Sequence, residues 1–546
     1  MARIYGVMVC FCILLSIEKV RAQPAPVLTA TEYLDMQDYN RALTEFLKLY
    51  KDNPSDIGFN FNIGFCYLKI NDDRSKSIPY LEFASKKDPL IKDIQLYLGQ
   101  AYMYGYKFDV AISHFNTYRS KTSSKNYEMV DHLIEDCESA KVLMKSPLDV
   151  TFENLGKDVN SPFPDYYPFV TKDEGTLYFT SRREGNSRKN TSWQGYFTAD
   201  IYFSKVKSGQ WTKAKNMGTV INTAEDEECV SLTPDGKNMI IYFDNDNISG
   251  DLFQSTTNKN KTFQKPIGFN DPVNTDFLEL EGCLADDGNI LIISSDRKGG
   301  LGETDLWMFK KLPTGNWGLP INLGPNVNTK YKEAFPYYDD DKQVLYFASE
   351  GHTNMGGYDI FRSKFDPESQ TFGSAENVGY PINTPEDNME FTLAENDRDG
   401  YVSAVRKGGF GDLDIYKVVF NGVAERLTVV KGTISTNDTI KKDIVATVSL
   451  LDPKTKELID SENANSKTGN FIFAVGPGKY LLVVSSDGYL DYSLGVNVFD
   501  KSDYIFEIDK KIVLLKPSEA IVPPSNQKPP PKNQAKPIPK SPAKPK

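Results

Sequence analysis

The sequence predicts a multidomain chain: α-helical repeats first, then a five-bladed all-β propeller, then a small β-sandwich, and last a disordered Pro/Lys-rich tail. Three observations carry this: a turn sequence written five times, a second repeat of 35 residues near the N-terminus, and a closing segment with ten prolines and no aromatic. The 546 residues exceed one hydrophobic core, and ordinary domain sizes divide them into three or four units. The expected segments are 1–22, 27–146, 151–420, 425–516 and 517–546.

The first 22 residues read as an export signal. Arg3 supplies a basic start, residues 4–17 an apolar run, and Val20 to Ala22 a small-residue site before Gln23. Fourteen apolar residues fall short of the about 20 that a membrane span needs. No later stretch is apolar enough, so the expectation is an exported, soluble protein with no transmembrane helix. The formal charge is −11; without the +5 tail and the +2 leader the body stands near −18. Phosphate backbones repel such a body, which argues against nucleic acid. Cys66, Cys137, Cys229 and Cys283 are too few for a disulfide framework and are expected to pack as small apolar residues.

In residues 27–146, Gly64 and Gly99, Tyr67 and Tyr102, and Pro54 and Pro89 each stand 35 apart. A small residue lets two helices approach, and a proline ends the second of them. This segment resembles the tetratricopeptide repeat, in about three units and without the usual tryptophan. Such stacks present a concave face to a partner, which makes Tyr67 and Tyr102 candidates for a partner-binding helical face. The plainer reading is that the helices brace the next domain.

The turn NLGPNVNT (Asn322 to Thr329) has relatives beginning at Glu153, Asn216, Phe269 and Asn377, and the last four endings stand 52, 54 and 55 residues apart. Asp200, Asp251, Asp305, Asp359 and Asp414 repeat with spacings of 51, 54, 54 and 55. Alternating aromatic and β-branched runs broken by Asp-Gly-type turns indicate short antiparallel strands. Four strands in about 54 residues make a propeller blade. The first linker strand precedes every unit and the last unit has none after it, so the first is expected to complete the last blade. These repeats look like those of TolB and its relatives. Four residues past each Ser or Thr stand Asp165, Glu227, Glu279, Glu333 and, breaking the set, Asn388. They are candidates for an acidic ring at the channel mouth, where gathered carboxylates attract a cation or basic peptide. The competing reading is that each caps backbone groups of its own blade.

From Leu427 four alternating strands and the sequence PGKY, with DGY after it, resemble the carboxypeptidase regulatory-like domain, a transthyretin-like sandwich. Residues 517–546 cannot bury a core and are expected to form an extended tether.

Taken in order, the modules are similar to the PorE family of Bacteroidetes periplasmic proteins, minus that family's C-terminal OmpA-type domain. The resemblance implies a non-catalytic scaffold of a type IX secretion or gliding apparatus. Its implied partners are a PorP/SprF-type outer-membrane β-barrel and other secretion-machinery proteins, with tail contacts to cell wall or an acidic surface. The alternative is a periplasmic propeller that binds a ligand, cation or glycan. His114, His132 and His352 are the only histidines, and none is paired with a serine or cysteine in a nucleophile motif. The chain is accordingly expected not to be an enzyme and to need no cofactor and no metal.

Overall fold

The repeated turn has a physical explanation in the computed structural model, which describes residues 28–187, 195–245, 248–394, 396, 398–422, 427–437, 444–499 and 507–517. The export signal and the Pro/Lys tail lie outside the described residues. In NMGTVINT, Asn216 donates from Nδ2 to Asp200 at 2.6 Å and accepts from Gly218 N at 2.7 Å. Asn222 clamps the preceding strand with both ends of its amide, accepting from Ile201 N and donating to Ile201 O, each at 2.9 Å. The same two-ended clamp recurs from Asn328 to Leu306 and from Asn383 to Ile360. Asn160 does likewise to Ile415, far away in sequence. Gly156, Gly218, Gly324 and Gly379 take the left-handed conformation at φ 78–99°, which suits glycine. Each copy thus ties the third strand of one blade to the loop that enters the next.

Five antiparallel sheets of this kind form the propeller. Blade 1 is built on Asp165–Val170, Thr176–Ser181 and Asp200–Lys207, and blade 2 on Asp226–Leu232, Asn238–Asn245 and Ile248–Thr256. Blade 3 has Glu279–Leu284, Ile290–Ser295 and Asp305–Lys310, and blade 4 has Glu333–Asp339, Val344–Ser349 and Asp359–Asp366. Blade 5 joins Phe391–Leu393, Asp399–Ala404 and Asp414–Phe420 to Val150–Asn154, whose register runs from Val150 opposite Phe420 to Asn154 opposite Tyr416. Pairing the two ends of the repeat region leaves neither edge free.

The fold class expected from the sequence, a multidomain chain led by tetratricopeptide-type repeats, is corrected here. The described residues are predominantly β, with seven α-helices: α1 (Ala30–Asp35), α2 (Tyr39–Asp52), α3 (Ile57–Lys69), α4 (Ile78–Lys87), α5 (Ile94–Tyr104), α6 (Phe108–Arg119) and α7 (Tyr127–Leu143). They are short and unequal. The Thr29–Glu32 capping box starts α1, and Gln37 at φ 60° follows only six helical residues later. A 3₁₀ turn, Arg74–Ser77, takes up the start of α4. The helices form a layer docked on the propeller instead of a free-standing superhelix. Close approach does occur within the layer: a Cβ at Gly99 meets Phe115 at 2.3 Å and one at Gly64 meets Leu81 at 2.6 Å.

Docking falls on the rims of blades 4, 5 and 1. His132 of α7 stacks on Tyr331 at 4.3 Å and hydrogen-bonds Glu350 O at 2.9 Å. Arg74 pairs with Glu386 at 3.1 Å and Asp387 at 3.5 Å. Asn40 donates to the Tyr196 hydroxyl at 2.9 Å. Beyond the propeller, two sheets of three and four strands enclose a core that includes Val430, Val448, Phe471, Leu482 and Ile512.

Candidate functional site

The cap position lies at or close to the start of each innermost strand. Asp165, Glu227, Glu279 and Glu333 are all buried there, and each carboxylate accepts from the preceding turn: Ser161 N at 2.6 Å, Thr223 N at 2.8 Å, Thr275 N at 2.9 Å and Thr329 N at 2.7 Å. Asn388 accepts from Thr384 N at 2.6 Å in the same way. Asp165 and Glu279 also bind the guanidinium groups of Arg183 and Arg297. Burial pushes Glu227 and Glu333 up to about 7. The structure therefore does not bring the four carboxylates together as an open ring; each holds its own blade entry.

Nor do the two helical tyrosines share an accessible face. Tyr102 is 8% exposed, stacks on His114 at 5.4 Å and bonds Glu82 through its hydroxyl. Tyr67 is half-buried and stacks on Tyr80 at 6.0 Å. Cys66, Cys137, Cys229 and Cys283 are free and buried.

What converges on the axis is the next layer of the same strands. Two residues past the cap stand Tyr167 in blade 1, Glu281 in blade 3, Phe335 in blade 4 and Glu390 in blade 5. The inner strands of blades 1 to 4 share an irregular register here, between Tyr166 and Phe169, Cys229 and Ser231, Glu279 and Gly282, and Ala334 and Tyr337. Such bulges re-aim side chains, and Tyr167 and Phe335 sit at φ 55° and 52°. From blade 2, Glu228 completes a group of three carboxyls: it accepts from the Tyr166 hydroxyl at 2.6 Å and pairs with Arg182 at 3.0 Å. Arg182 also pairs with Asp226 at 3.0 Å.

The environments of these carboxyls differ. Burial first, and then the charge of Glu228, push Glu281 and Glu390 up to about 8, so both are protonated at neutral pH. Glu390 accepts from the Ser403 hydroxyl, whereas Oε2 of Glu281 has no hydrogen-bond partner although Glu281 is only 8% exposed. Sequence inspection missed this layer. Its signal was present, since counting two residues past each cap reads Tyr, Glu, Phe, Glu in four of the five repeats.

No family model and no curated protein matches the chain. Similar solved structures include a glycoside hydrolase at 7% identity, covering 51% of this chain and 94% of its own, with a TM-score of 0.35. An α-L-arabinanase of Penicillium chrysogenum complexed with arabinobiose is 12% identical over 50% of this chain and 100% of its own, at 0.32. The Pseudomonas aeruginosa periplasmic gluconolactonase PpgL is 12% identical over 60% and 98%, at 0.25. Scores this low transfer neither activity nor substrate to this chain.

The expectation that the chain is not an enzyme is corrected. It rested on the lack of a histidine-activated nucleophile, and that lack excludes nothing, because acid–base chemistry by paired carboxyls needs no histidine. Among the described residues no group of His, Cys, Asp and Glu is arranged to hold a metal ion, and no helix is long and apolar enough to cross a membrane.

Proposed function

We propose that the propeller is a ligand-binding module of the periplasm, and that its ligand is a small, neutral, hydroxyl-rich molecule of the glycan class. The observation that carries this reading is the partnerless Oε2 of Glu281 beside Glu228 and Glu390. A buried polar atom without a partner costs about 1–3 kcal/mol, and a ligand hydroxyl removes that cost. A protonated carboxyl both donates and accepts, as sugar hydroxyls do. Two protonated carboxyls carry no charge to hold a cation, and the third, Glu228, is already taken up by Arg182, which favours a neutral ligand over Ca²⁺. Tyr166 and Tyr167 add apolar ring faces of the kind that ligand sites use.

Calorimetric titration with neutral di- and trisaccharides, and separately with Ca²⁺, tests this. Saturable saccharide binding that Glu281→Ala abolishes is the expected result. Binding of Ca²⁺ alone, or saccharide binding indifferent to Glu281→Ala, overturns it.

A further inference from the structure

In blades 1, 3, 4 and 5 an arginine or histidine stands two or three residues past the end of the second strand, and in blade 5 its carboxylate partner is missing. In blade 1, Arg183 Nη2 donates to Val159 O at 2.7 Å and to Asp165 at 2.5 Å. In blade 3, Arg297 Nη2 donates to Val273 O at 2.7 Å and to Glu279 at 2.9 Å. In blade 4 a histidine takes the position, His352 bonding Val327 O at 2.8 Å, and Glu333 turns to the Ser349 hydroxyl at 2.7 Å. Blade 5 keeps the arginine: Arg406 Nη2 donates to Pro381 O at 2.8 Å and its guanidinium lies 3.4 Å over the Phe152 ring. The carboxylate, however, is replaced by Asn388 and the strand-end serine by Ala404.

The replacement leaves a cation without its internal counter-ion. Among the described residues no carboxylate lies within salt-bridge distance of Arg406, and its Nε is buried with no hydrogen-bond partner. Burial lowers the affinity of this guanidinium for its proton, with no neighbouring carboxylate to offset it. In place of the missing carboxylate there is space. A cavity of 260 Å³ opens at the seam between helices and propeller, lined by Arg406, Lys407, Asn388, Thr384, Arg74 and Tyr106. Glu386 and Asp387 also line it, and both pair with Arg74. Its volume is below the about 300–1,000 Å³ of sites for drug-sized ligands, which limits the occupant to a small molecule.

We propose that this cavity binds a small organic acid, whose carboxylate takes the place at Arg406 that Asp165 and Glu279 take at Arg183 and Arg297. An arginine fork suits a planar carboxylate through two parallel hydrogen bonds. Lys407, exposed at the rim, adds attraction at the entrance. The site is separate from the channel carboxyls and takes a ligand of opposite character.

The test uses the full chain and titrates it with acetate, succinate and inorganic phosphate by calorimetry. Acetate or succinate is expected to bind saturably, more tightly than phosphate. Asn388→Glu writes the carboxylate of blades 2, 3 and 4 back into blade 5. It is expected to weaken that binding at least about tenfold, corresponding to about 1.4 kcal/mol. Asn388→Gln, which adds length without charge, is expected to retain it. Carboxylate binding unchanged in Asn388→Glu overturns the proposal. So does a lack of saturable binding by both acids, or binding of phosphate in preference to them. Arg406→Gln is expected to abolish binding; Asn388→Glu gives the answer without depending on how that variant folds.

Discussion

Tyr167 and Phe335, from the inner strands of blades 1 and 4, face each other across the propeller axis with ring centroids 5.7 Å apart. Between these blades in the ring stands blade 5, whose contribution to the same layer is Glu390. The channel is thus a packed layer of two aromatic and two carboxylic side chains. That composition separates its stability from its chemistry: the rings pack against each other, and the carboxyls supply the polar atoms.

Removing a ring should loosen the axis. Tyr167 is 5% exposed, and truncating a large buried aromatic costs about 3–5 kcal/mol through lost burial and a residual cavity. Tyr167→Ala is expected to lower the midpoint of chemical denaturation accordingly, whereas Tyr178→Ala on the half-buried outer face should cost less. Equal losses from the two variants would contradict the packed-axis description.

The cap position is structural in blade 3. Glu279 and Arg297 are 0% and 7% exposed and pair at 2.9 Å. Glu279→Ala leaves a buried guanidinium unpaired, and losing one partner of such a pair costs about 3–5 kcal/mol. Asn388→Ala in blade 5, which breaks no ion pair, should cost far less by the same denaturation assay.

Stability should depend on pH through the channel carboxyls. Glu281 and Glu390 rise from 4.5 to about 8, so between those values the folded chain holds protons that the unfolded chain has released. Folding stability therefore falls as pH rises from about 4.5 to about 8 and is steady above that, as far as these two groups contribute. Replacing Glu281 by Gln removes its share of the penalty. The stability difference between Glu281→Gln and wild type is expected to shift in the variant's favour from pH 5 to pH 8; a pH-independent difference would count against the protonated state.

In the helical layer, the Cβ added by Gly99→Ala meets the Phe115 ring at 2.3 Å. Overpacking of this kind costs about 1–3 kcal/mol. The expected signs are a lower melting temperature of the helical circular-dichroism signal and faster proteolysis within residues 94–119. Gly422→Ala, with open space around it, is the control.

Docking of the layer should depend on Arg74, whose side chain is 11% exposed and ties α3 and α4 to the blade 5 rim through Glu386 and Asp387. Arg74→Ala leaves two carboxylates facing each other without their cation. Hydrogen exchange at residues 384–389 is expected to rise in the variant while the inner strands of blades 2 and 3 stay protected. An unchanged pattern would show that the His132 and Tyr331 contact suffices to hold the layer.

Much of the propeller was legible because each blade is written locally. Asn216, Gly218 and Asn222 close their hydrogen bonds within one turn and its neighbouring strand, so the need for those residues recurs with the blade period. Helix pairing at Gly64 and Gly99 was legible for the same reason. The lengths of the helices were not, because a six-residue α1 ended at Gln37 is decided by capping and docking rather than by the repeat. The candidate site was legible only in part. Asp165, Glu227, Glu279 and Glu333 stood out by spacing, but spacing could not say whether they point to the axis or back to their own turns.

By itself, then, the sequence determined the period, the turn chemistry and, at Asn388, the break in the acidic set. These depend on residues close together along the chain, where hydrogen-bond geometry leaves few alternatives. Only the tertiary structure decided that Glu228, Glu281 and Glu390 meet, and that Arg406 in blade 5 has no carboxylate beside it. Both outcomes depend on which side chains from separate blades share one small volume without water, and burial there sets the protonation of a carboxyl and the cost of a solitary charge.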